Sequence, residues 1–175
     1  MNDTLWYLTR ATGLVATALM LLAVAWGFYF SARETGTRLR PAWWLDLHNG
    51  LGGLAMIFTG VHLVTAFAAK VGVRFVSIFV PGTAADQKAA VTWGVLAFYG
   101  VTLAVFTSWP KRLFKRPTWR AIHLLSVPAT AFAIVHAYQL GTDAHSAAFE
   151  VIVPVAAAAA VYPLVLRVTK LLSSR

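Results

Sequence analysis

The chain has 175 residues, of which 59% are hydrophobic and only 12% charged. Soluble domains carry roughly 25% charged residues, so the composition excludes a soluble globular fold and leaves an integral membrane protein of single-domain size. The formal net charge of +9 sits in short loops between apolar runs, which assigns it to membrane topology and excludes nucleic acid as a partner.

Five apolar segments run over residues 6–30, 44–68, 89–109, 119–141 and 147–171, each near the ~20 residues of a spanning helix. They predict an all-α integral membrane helical bundle of about five transmembrane helices, one domain over residues 1–175. The opening residues Asn2, Asp3 and Thr4 bring neither a basic stretch nor a cleavage site, so the first segment reads as a retained helix. Its one charge, Arg10, is costly at that depth. Either it snorkels to headgroups or it pairs with an acidic group inside the bundle.

The loop at 31–43 holds Arg33, Arg38 and Arg40; the loop at 110–118 holds Lys111, Arg112, Lys115 and Arg116, with Arg120 just beyond; the tail holds Arg167, Lys170 and Arg175. These three regions share one side and carry eleven of the fifteen basic residues. The bias places the N-terminus outside and the C-terminus in the cytoplasm of a plasma (inner) membrane. Residues 69–88 form the longest connection. Three readings stand for its apolar stretch around Phe75–Val80, which ends at a Pro81-Gly82 turn: a cap over the outer site, part of an acceptor site, or a plain interfacial segment. The third segment reads as packing. Thr118 is the expected N-cap of the fourth, and the fifth, with its alanines at 156–160, reads as structural.

The second segment carries His48 and His62, and the fourth carries His123 and His136. Both segments run from inside to outside, so the natural pairs are His48 with His123 and His62 with His136. The spacings of 14 and 13 residues correspond to rises of about 21 and 19.5 Å, which puts each pair at matching depth. Fourteen residues keep His48 and His62 on one helix face, but thirteen leave His136 about 140° from His123 on an ideal helix; Pro128 lies between them and can kink or rewind the backbone. Gly50, Gly52, Gly53 and Gly60 on one segment and Ala129, Ala131 and Ala133 on the other leave room for a planar macrocycle. Cysteine is absent, which excludes c-type attachment and cysteine-ligated clusters and leaves histidine as the strongest haem-iron ligand present. Two haems held by paired histidines are the reading that uses all four residues. A proton relay or a zinc or copper site uses them less well, since one metal does not reach ligands about 20 Å apart. His145, in a loop, reads as a loop residue.

At LTRATGLVA, LHNGLGGLAMIFTGVH and the basic loop followed by WRAIHLL and IVH, the chain resembles the ferric reductase-like transmembrane domain superfamily over roughly residues 6–142. That superfamily includes NADPH oxidases, yeast-type ferric reductases and the haem subunit of the bacterial methionine sulfoxide reductase system. The resemblance implies a ferric reductase-like cytochrome b domain with two haem b groups, ligated by His48, His123, His62 and His136. Members commonly have six helices with ligands on the third and fifth; here five are counted, with ligands on the second and fourth. It implies an oxidoreductase component that takes electrons from a cytoplasmic flavoprotein reductase or quinol, with flavin or quinone supplied by that partner. Electrons then reach ferric iron, oxygen or an extracytoplasmic redox partner. Arg10 and Arg120 are the candidates for the outer and inner propionates, and Arg112, Lys115, Arg116 and Arg120 for docking the donor. The alternative is a non-catalytic haem-bearing anchor subunit of a larger redox complex; a proton or metal transporter is a third, weaker reading.

Overall fold

A computed structural model describes residues 3–32, 40–69, 74–109, 114–142 and 146–173. His145 and the basic residues Arg33, Arg38, Lys70, Lys111, Arg112 and Arg175 lie outside the described residues. The described chain is helical, with no strand among its described residues: α1 (Asp3–Ala32), α2 (Pro41–Ala68), α3 (Phe75–Phe79), α4 (Lys88–Ser108), α5 (Arg116–His123), α6 (Ser126–Leu140) and α7 (Ala147–Ser173). Five spans among the described residues are long and apolar enough to cross a membrane, with α5 and α6 together making the fourth. The protein is a multi-pass membrane bundle. Large apolar side chains such as Ile57 and Val64 stand more than 60% exposed on its outside, the surface a lipid-facing helix presents.

Both histidine-bearing spans start in the same way. Pro41 lies in the first turn of α2 and Pro117 in the first turn of α5. Proline there gives up an N–H that has no helical partner anyway, and its fixed φ suits the turn. Arg40 and Lys115 are the N-cap residues, and neither caps through its side chain. Thr118, expected as the N-cap, lies inside the first turn, because Pro117 starts the helix earlier.

The fourth span is broken between His123 and Ser126. Pro128 has no N–H, so the Leu124 carbonyl accepts from Val127, a shorter step. Leu125 likewise donates to Ile122 rather than one residue further back. Each residue in such a tightened turn rotates about 20° more than in an α-helix. This break supplies part of the rotation that the thirteen-residue spacing lacks.

Antiparallel α1 and α2 pack along each other, as do α4 and the α5–α6 span; α7 packs on α1. The two hairpins meet at a core of Met20, Ala55, Ala97, Val101, Ala129 and Ala133. The core is mostly alanine, and small side chains let helix backbones approach closely in lipid. Gly100 marks the tightest crossing: a Cβ there would lie 2.6 Å from the Ala129 Cβ.

Candidate functional site

The structure brings the four histidines together in two facing pairs, each with one ring from each hairpin. The rings of His48 and His123 have centroids 5.7 Å apart at 68°, and those of His62 and His136 are 6.1 Å apart at 86°. A metal–imidazole bond is about 2 Å, and the ligating nitrogen lies about 1 Å from its ring centre, so two axial imidazoles on one metal have centroids about 6 Å apart. The pairing is that of the parallel inner and outer arrangement expected from topology.

Each ring is held by its Nδ1. His62 donates to the Thr9 carbonyl at 2.8 Å, His48 to the Ala23 carbonyl at 3.0 Å and His136 to the Ala90 carbonyl at 2.8 Å. A carbonyl only accepts, so the proton is on Nδ1 and the Nε2 lone pair is free. His123 meets the Ser108 hydroxyl at 3.1 Å. That hydroxyl spends its single proton on the Ala104 carbonyl at 2.6 Å, so it accepts from His123, and the same tautomer follows. Four imidazoles are thus fixed by neighbours with Nε2 unprotonated, the state in which histidine binds metal.

The seats follow one rule. The accepting carbonyls belong to Thr9, Ala23, Ala90 and Ala104, and four residues after each stands Gly13, Gly27, Gly94 or Ser108. In a helix the Cβ of residue i+4 leans toward the N-terminus, over the turn that carries carbonyl i. Removing that Cβ uncovers the carbonyl, whose second lone pair then takes a donor from another helix. The fit is close. A Cβ at Gly13 would lie 2.8 Å from the His62 Nδ1, one at Gly94 would lie 2.7 Å from the His136 Nδ1, and one at Gly27 would lie 3.1 Å from the His48 Cε1.

A cavity opens at each pair. The one at His62 and His136 holds about 280 Å³ and is lined by Trp6, Arg10 and Leu14 of α1, with Ile78, Asp86 and Gln87 from the 69–88 connection. The described part of that connection thus forms one wall of this cavity. Its turn at Gly82 has φ 80° and donates its N–H to Thr92 Oγ1 at 3.0 Å, while the Tyr99 hydroxyl donates to the Phe79 carbonyl at 2.6 Å. The second cavity, at His48 and His123, holds about 400 Å³ and is lined by Asn49, Gly52 and Gly53 among others. Met20 and Val101 line both cavities and form the wall between them. Ala129 and Ala133 are buried in the core, whereas Ala131 faces outward. Gly50 and Gly60 have no neighbour within 4 Å of a built Cβ.

Arg10 therefore lies where an acidic group in the cavity at His62 and His136 can be reached, and it also sits over the Tyr7 ring at 5.6 Å. Arg120 is exposed on α5 and does not line the second cavity. Near that cavity Trp26 and Trp44 stack at 4.3 Å. Their Nε1 atoms are buried without a hydrogen-bond partner among the described residues. No three His, Cys, Asp or Glu side chains gather among the described residues to hold a metal ion.

The family model described as Domain of unknown function (DUF8596) matches residues 4–143, from α1 through α6. The chain belongs to that family. No curated protein and no solved structure matches it. In this DUF8596 chain the seat residues were missed by sequence reasoning, which read α4 as packing. A signal existed: Gly13 and Gly27 are 14 residues apart, as are Gly94 and Ser108, the interval that separates His48 from His62.

Proposed function

We propose that the chain is a transmembrane electron-transfer protein that holds two b-type haems. The observation that carries this reading is the four imidazoles, paired with ring centroids 5.7 and 6.1 Å apart, every Nδ1 bonded and every Nε2 left unprotonated to take a metal. Two ligands per site fall short of the four that a structural zinc takes and suit a metal whose remaining ligands come from a macrocycle. Bound there, the haems would supply one-electron carriers whose iron has no open position. His48 and His123 would hold one, His62 and His136 the other. Arg10, which lines the cavity at His62 and His136, would suit the carboxylates of the group held there. The 74–88 cap and the apolar helix faces keep water from the sites. With the N-terminus outside, the donor is a cytoplasmic flavoprotein or quinol, and the acceptor is extracytoplasmic ferric iron, oxygen or a redox protein. Lys115, Arg116 and Arg120, exposed at the start of α5, supply the positive charge for donor docking.

The test is a pyridine haemochrome assay with oxidised and reduced spectra on protein made with haem available and purified in detergent. About two low-spin b-type haems per chain are expected. His62→Ala and His123→Ala should each remove one, and a different one. Folded protein without haem would end this reading.

A further inference from the structure

We infer that Ser108 is a positioning residue that makes the group held by His48 and His123 the easier of the two to reduce. The inference rests on the two-haem reading above. Three of the four imidazoles donate to a main-chain carbonyl uncovered by a glycine. His123 does not. Ser108 brings a Cβ where the other seats have none, and its hydroxyl takes the His123 bond at 3.1 Å while it donates to the Ala104 carbonyl, which also faces the ring. The same oxygen also accepts the Trp119 indole N–H at 3.3 Å, and that indole stacks on the His123 ring at 5.0 Å and 19°.

The consequence is electronic. An acceptor behind a ligating histidine draws on its Nδ1 proton and raises the basicity of the ligand. A more basic ligand favours the oxidised metal and lowers its potential. The His123 bond is the longest of the four at 3.1 Å, and its acceptor is an alcohol that already serves a second donor. At the His62–His136 site both acceptors are amide carbonyls at 2.8 Å. The stacked Trp119 holds the His123 ring in place without adding to its basicity. The two sites therefore differ in potential although all four ligands are histidine, and the His48–His123 site is reduced first.

Substitutions at Ser108 separate this from a merely structural role. Ser108→Gly removes the Cβ and lets His123 use the Ala104 carbonyl, which faces the same imidazole, as the other three rings use theirs. Ser108→Ala keeps the Cβ and removes the acceptor. Ser108→Thr keeps the hydroxyl. Haem content is measured first, then a spectroelectrochemical titration is run on each protein. The wild type should show two resolved components. The higher should fall in Ser108→Gly, rise in Ser108→Ala and stay in Ser108→Thr, with the lower component unmoved throughout. Two haems with a single potential, or variants that move both components together or neither, would overturn the role given to Ser108 and leave the haem reading standing. Wild-type protein without haem overturns both. If Ser108→Gly does not fold, the contrast between Ser108→Ala, which should raise the higher component, and Ser108→Thr, which should leave it in place, decides.

Discussion

At the His62–His136 site both rings rest on bare glycine, with Gly13 and Gly94 each closer than 3 Å from a Cβ to the ring. At the His48–His123 site one ring rests on Gly27 with more clearance and the other on Ser108. The first site is also roofed by the 74–88 connection, whereas the second is flanked by the nearly fully exposed Trp109. One construction rule has thus been applied twice, strictly in one place and loosely in the other. The loose copy is where a side chain has room to intervene between ligand and helix.

Gly94→Ala should break the strict copy outright. Its methyl would sit 2.7 Å from the His136 Nδ1, so the ring must leave both its carbonyl and its partner. Alanine improves the α4 helix by about 1 kcal/mol in propensity, so any loss of function is not a loss of helix. Haem content should fall from about two per chain to about one, and Gly13→Ala should do the same through His62. Gly27→Ala, with 3.1 Å to the His48 ring, should keep most of its haem. Equal losses at all three positions would remove the distinction between strict and loose seats.

Gly100→Ala acts between the sites rather than in one. Its Cβ would meet Ala129 at 2.6 Å, pushing α4 from α6 at the core that separates the cavities. Overpacking of this kind costs about 1–3 kcal/mol. Thermal melting in detergent should drop, and the two haem signals should weaken together. A change confined to one signal would show that the two sites do not share this wall.

The spans were legible because apolar length is a strong signal, and the five expected segments differ from the observed spans at their ends and at the break within the fourth. The pairing was legible because topology and the 14- and 13-residue spacings are both in the sequence. The phase problem at His136 was visible, but its resolution was not. It depends on where the backbone tightens, and that falls at Leu124 and Leu125, just before Pro128. The seats were hidden for a different reason. A carbonyl is present at every position, and only the glycine that uncovers it is written in the sequence. Membrane helices carry glycine for many reasons, so the 14-residue spacing on α1 and α4 acquires meaning only once the antiparallel neighbours are known. Arg10 was found as a lone charge in an apolar helix. Arg120, three residues before His123, is exposed and does not line the cavity, although residues at that spacing share a helix face.

The roof gives a smaller test of the same contrast. Tyr99→Phe removes the hydroxyl that holds the Phe79 carbonyl at 2.6 Å, a loss of about 1 kcal/mol for a neutral hydrogen bond. The haem at the His62–His136 site should then dissociate a few times faster, as followed by transfer to an apo-globin acceptor. The His48–His123 haem should be unaffected, since α3 does not reach it. Faster loss of both would mean that the cap supports the bundle rather than one site.

The smallest effect concerns how α4 begins. Gln87 precedes it in a left-handed conformation, φ 48° and ψ 37°, which costs a residue with a Cβ about 1–2 kcal/mol. The conformation turns the chain from the cap into α4 and so sets the height of the Ala90 carbonyl, one turn on, against His136. Gln87→Gly adopts it without that cost and gives back part of the gain as chain entropy. Melting should therefore be unchanged or raised by a degree or two, with haem content intact. Gln87→Val should lower both, because a β-branched residue is strained at positive φ. If valine is tolerated as well as glycine, the turn at 87 does not fix the His136 seat. The strictness of the His136 seat would then come from Gly94 alone.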